Sequence, residues 1–137
     1  MTFFKSKTSA TIENAKSLFG KQVAALGKQK DKVTELIAGV GNKMLRFGDN
    51  PRVKKLIEPV SVFVRMVKAH FNGSHKLTNS TLGLILLALV YFVSPIDIIP
   101  DFLGFFGFAD DLSVVMAIYL KIQDEINQFL DWERTQD

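Results

Sequence analysis

Apolar residues recur every seven positions through the first third of the chain: Ile12, Phe19, Leu26, Val33, Val40 and Phe47. Ala15, Val23, Leu36 and Met44 fill the intermediate turn. This spacing predicts one long amphipathic helix, or two consecutive ones, over roughly 9–47. Gly20, Gly27, Gly39 and Gly41 each cost about 1 kcal/mol against alanine in a helix, so a break is expected near Gly39–Gly41. Gly48-Asp49-Asn50-Pro51 is a turn in which glycine ends one helix, Asn50 caps the next and Pro51 suits its first position. A second amphipathic helix follows over about 52–71. Val53, Val60 and Val67 mark its apolar face, Leu56/Ile57, Phe63/Val64 and Phe71 flank it, and Lys54, Lys55, Arg65 and Lys68 decorate it. Asn72-Gly73-Ser74 stops it.

The pattern changes after Lys76. Residues 77–96 are 20 uncharged residues in a row, and the stretch from Leu82 to Val93 has no polar face. Such a helix is buried in protein or in lipid. Ser94-Pro95-Ile96-Asp97-Ile98-Ile99-Pro100-Asp101 comes next, then a second uncharged run from Phe102 to Ala109. Asp110-Asp111 opens a last helix that stays apolar to Leu120, becomes amphipathic through Ile122, Ile126 and Phe129/Leu130, and ends near Trp132. Nothing alternates like a strand. The expectation is an all-α chain: two basic amphipathic helical segments followed by an apolar helical hairpin with a Pro/Asp-broken connection. It divides into a basic region over 1–50, a helical membrane-associated domain over 51–130 and a polar tail over 131–137.

Charge sharpens this picture. Residues 1–76 carry 15 Lys/Arg against 5 Asp/Glu, and residues 77–137 carry 2 against 9. Eleven Leu, Ile, Phe or Val residues within 77–96 favour insertion into lipid by very roughly 5 kcal/mol in total. The run over 102–120 carries Asp110 and Asp111 at its middle, which cost about 6 kcal/mol together, so it needs a partner helix, water or the interface. These sums favour an integral, multi-pass membrane protein of an endomembrane or a bacterial inner membrane. The positive-inside rule would keep its basic half cytoplasmic, and Met1–Lys7 shows no apolar core of an export signal. The alternative is a soluble bundle around helix 82–93, whose twelve residues span only about 18 Å.

Asp97, Asp101, Asp110 and Asp111 lie within 15 residues, embedded in apolar sequence. Capping accounts for all four: Ser94 caps a short helix with Pro95 first and Asp97 third, Asp101 caps the next turn, and Asp110 caps the last helix with Asp111 in its first turn. The competing readings are a divalent-cation site and a contact with a basic partner. Hard cations such as Ca²⁺ or Mg²⁺ take carboxylate oxygens together with carbonyls freed by broken helices. The chain has no cysteine and only His70 and His75, and no nucleophile or phosphate loop accompanies the acids, so an enzyme is not expected.

The run from Tyr91 to Val115 closely resembles the YkvA-like family, a domain of unknown function (DUF1232). Its pattern is S-P-I-D-L-I-P-D, an apolar-glycine turn, then D-D-L. Ser94, Pro95, Asp97, Pro100, Asp101, Asp110 and Asp111 occupy its positions, and Gly104 stands where members often carry proline. The resemblance covers roughly residues 60–125. It implies a small helical, membrane-associated protein, usually multi-pass, with no established activity or catalytic residue. The leading functional expectation is a non-enzymatic adaptor or scaffold, with anionic lipid, a protein partner or a second copy as its contacts and no resident cofactor. A cation-responsive assembly pooling the aspartates is the alternative, and a soluble bundle binding an anionic partner is a further one. Nucleic acid is disfavoured, because the basic residues carry no recognised binding motif.

Overall fold

The computed structural model describes residues 12, 13, 16, 23, 26, 29–97 and 111–136, without the side chains of 52, 94–97 and 111–113. Among these the chain forms five helices: α1 (Lys30–Phe47), α2 (Pro51–Phe71), α3 (Asn79–Asp97), α4 (Asp111–Lys121) and α5 (Gln123–Arg134). The all-α expectation holds.

The seven-residue stripe is a core stripe. Ile12, Leu26, Val33 and Val40 are buried, and Phe47 packs half-buried beside them. The expected break at Gly39–Gly41 does not occur, since α1 runs through both glycines. A Cβ at Gly39 would lie 3.5 Å from Val93 Cγ1, an ordinary contact distance, so α1 packs against α3 at this glycine. That packing offsets the low helix propensity. The chain is instead non-helical at Gln29, in extended backbone.

The turn before α2 is as the pattern predicts. Lys54 N–H donates to the Asn50 carbonyl at 2.9 Å, which places Asn50 at the cap and Pro51 first in the helix. At the other end Gly73 adopts φ +84°, while Ser74 N–H bonds to Ala69 O and Gly73 N–H to His70 O. These two bonds make a Schellman termination, which needs a left-handed residue that glycine supplies without strain.

Thr78 starts α3. Its carbonyl accepts from Leu82 N–H and its hydroxyl oxygen from Thr81 N–H at 3.2 Å, satisfying one of the free donors of the first turn. Beyond Thr81, every residue from Leu84 to Phe92 is buried. Helices α1, α2 and α4 all pack against α3, so its apolar faces meet protein on several sides. Phe63 of α2 and Tyr119 of α4 add a ring contact with centroids 5.9 Å apart.

This corrects the expectation of a multi-pass protein with transmembrane helices. Among the described residues no helix is long and apolar enough to cross a membrane. The uninterrupted apolar part of α3 is short, and its side chains are shielded by the chain's own helices.

A second correction concerns Pro95. Ser94, Pro95 and Asp97 do not begin a short helix, because α3 continues through them and they form its last turn. Ser94 therefore is not an N-cap. The proline removes one backbone donor and disfavours helix at the residue before it. The packed body of α3 carries the helix past that local preference. The final helix is also two: α4 gives way to α5 at Ile122 (φ −107°, ψ 28°). Ile122, Ile126 and Phe129 still point into the core as their spacing requires.

Candidate functional site

The motif end of α3 is built against α1. Pro95 has no N–H to contribute to the helix ladder one turn after Tyr91, so the last turn of α3 has one backbone donor fewer. Lys43 of α1 reaches this place. Its ammonium donates to the carbonyl oxygen of Phe92, one residue further on, and sits 4.5 Å from the centroid of the Phe92 ring. Lys43 is only 6% exposed. A cation here is favoured by the carbonyl, by the aromatic face and by the negative end of the α3 dipole.

No motif in the sequence marks Lys43. The available signal was its position three residues after Val40, on the face that the heptad buries. A lysine on that face must either snorkel outward or find polar partners inside. Its main partner is 49 residues away, which no local pattern reports.

Asp97 closes α3 and Asp111 opens α4, and these two helices pack on one another. Asp111 thus stands in the first turn of a helix, as expected, where a carboxylate suits the dipole. Asp97 stands at the opposite kind of terminus, where the dipole does not favour it. Pro100, Asp101 and Asp110 lie outside the described residues, as do the side chains of Ser94, Pro95, Asp97 and Asp111. Among the described residues no three His, Cys, Asp or Glu side chains gather where a metal could bind.

Both histidines secure the loop between α2 and α3. His70 Nδ1 accepts the Leu77 N–H at 2.9 Å. Burial, and then the nearby Lys76 ammonium, hold its imidazole below the usual histidine value, which suits an unprotonated Nδ1 acceptor. The His75 ring packs against Phe129 and Trp132 of α5, with centroids 5.4 and 5.1 Å away. Arg65 of α2 adds a two-pronged ion pair to Glu133 of α5, at 2.8 and 3.1 Å, and donates to Ser61 Oγ at 2.9 Å.

These observations define a small all-α protein whose apolar central helix ends in a Pro/Asp motif, with a buried lysine on the Phe92 carbonyl just before it. The family described as "Protein of unknown function (DUF1232)" matches residues 81–117. The "Uncharacterized membrane protein YkvA" of Bacillus subtilis (strain 168) is 33% identical over 104 residues, covering 75% of this chain and 96% of that protein. The chain belongs to this YkvA-like DUF1232 family. No solved structure matches it.

Proposed function

We propose that the protein is a non-enzymatic adaptor that rests on an anionic membrane surface through the corner where α1 turns into α2. The observation that carries this reading is the exposed chemistry of that corner. Leu45 is 87% exposed at the end of α1, and Ile57 is also exposed in the second turn of α2. Arg46 adjoins Leu45 in sequence, Lys54 lies one turn before Ile57 on the same face of α2, and Lys55 is on another side of that helix, all exposed. Lys68 continues the basic surface along α2. Apolar side chains among lysines suit the headgroup boundary, where each basic residue contributes about 1 kcal/mol on anionic lipid. The membrane designation of the Bacillus subtilis relative agrees with such a location.

Cosedimentation with vesicles tests this. The full chain should bind phosphatidylglycerol-containing vesicles, bind pure phosphatidylcholine far less, and release as salt rises. Leu45→Asp and the triple change Lys54→Glu, Lys55→Glu, Lys68→Glu should each weaken binding without loss of helicity. Equal binding to neutral vesicles, or binding indifferent to salt and to these changes, would refute the reading.

A further inference from the structure

The loop between α2 and α3 is held at two points. At its start the Ala69 carbonyl accepts from Ser74 N–H at 3.0 Å and from His75 N–H at 3.2 Å. At its end His70 Nδ1 accepts from Leu77 N–H at 2.9 Å. The His75 ring belongs to the stretch between these points and lies against Phe129 and Trp132 of α5. One side chain in the last turn of α2 thus helps to fix the segment that covers Trp132. The junction is at the opposite end of α2 from the exposed α1–α2 corner.

The two points differ in chemistry. A backbone carbonyl accepts at any pH the protein meets, whereas an imidazole nitrogen accepts only while it is unprotonated. A proton taken from water at His70 Nδ1 turns that atom into a donor facing a second donor, the Leu77 N–H. The bond is then lost, and Leu77, half-buried against the core, loses its backbone tie. Among the described residues, the charge that bears on His70 is the Lys76 ammonium of the loop, which opposes protonation. His75 is the other titratable group of the loop. Of the α5 acids, Asp124 and Glu125 stand in its first turn, Glu133 is engaged by Arg65 of α2, and Asp131 by Arg134. The first turn of α3 holds no acid, and the last turn of α4 holds Lys121.

We infer that His70 is a proton-operated latch: protonation at Nδ1 releases Leu77, lets the His75 ring leave Trp132, and exposes that side of α5 to solvent. One net hydrogen bond changes an equilibrium by on the order of tenfold. That moves a loop and not a helix, and α5 stays seated through the buried Ile126 and Phe129. The bond favours the neutral ring, so the latch is closed at neutral pH and opens as pH falls below the ordinary histidine value of about 6.5.

Trp132 is the one tryptophan, so its fluorescence in the full chain tests the inference. On acidification through that range, acrylamide quenching of Trp132 should rise several-fold and its emission move to longer wavelength, with the far-ultraviolet helical signal kept. His70→Gln, which cannot titrate, should abolish the transition. His75→Phe keeps a ring against Trp132 and carries no proton, so the transition should persist there. Lys76→Glu, at an exposed loop position, should move the midpoint to higher pH, a readout that stands even if His70→Gln perturbs the fold. Three results would overturn the latch: no transition in the wild type, a transition abolished by His75→Phe but not by His70→Gln, or a midpoint unmoved by Lys76→Glu. Loss of the helical signal together with the change in Trp132 would also overturn it, since the event would then be unfolding of the whole chain.

Discussion

Lys43 is a charged side chain set into an apolar seam, and its contacts decide its effect. Lys43→Met keeps most of the aliphatic volume and removes the donor to the Phe92 carbonyl. We expect a loss of about 1–3 kcal/mol in urea unfolding, the range for depriving a buried polar partner. Unchanged or increased stability would mean that desolvation of the ammonium outweighs those contacts. His70 gives a pH signature. Its folded-state value is lowered, so the unfolded chain binds the proton more readily. The stability it contributes is complete above the unfolded value of about 6.5 and is lost as pH falls through the folded value. Unfolding midpoints measured over this range should fall with acidification, and His70→Gln should flatten the slope.

Glycines distinguish packing from propensity along α1. Gly41 has open space around its Cβ position, so Gly41→Ala should gain roughly 0.5–1 kcal/mol from helix propensity alone. At Gly39 an alanine Cβ would stand at ordinary contact distance from Val93, and Gly39→Ala should be neutral or mildly stabilising. Gly39→Leu has no such room and should cost about 1–3 kcal/mol by forcing α1 away from α3. Thermal unfolding of the three variants checks the order. Equal stability of Gly39→Leu and Gly41→Ala would mean that the packing of α1 on Val93 does not limit side-chain size at position 39.

Helix α5 is joined to the rest through a few identifiable contacts. The chain has one tryptophan, Trp132, and it lies in the cluster with His75 and Phe129. Its emission therefore reports the docking of α5. His75→Ala should shift that emission toward longer wavelength under native conditions while the far-ultraviolet helical signal is largely kept. A loss of both together would mean that α5 does not undock independently. The Arg65–Glu133 pair spans the same junction but is about one-third exposed on each side. A double-mutant cycle with Arg65→Met and Glu133→Gln should return no more than about 1 kcal/mol.

Local pattern was sufficient wherever one face of a helix had to be apolar or a turn needed a particular backbone. The burial of Ile12, Leu26, Val33 and Val40, the Asn50-Pro51 start of α2 and the Gly73 stop all follow from residue spacing and allowed dihedrals. Of the candidate site, the order of Ser94, Pro95, Asp97 and Asp111 was visible, but not the partner of that helix end. Lys43 looked like any other lysine in the basic half, because its role depends on a carbonyl 49 residues away. The break expected at Pro95 followed a nearest-neighbour steric rule, and the packing of α3 overrode it. The membrane question was open for a more general reason. Removing apolar surface from water is non-directional, so a helix apolar on every face is equally compatible with lipid and with protein. Only the tertiary arrangement, with α1, α2 and α4 packed around α3, decided that the surroundings are the chain itself.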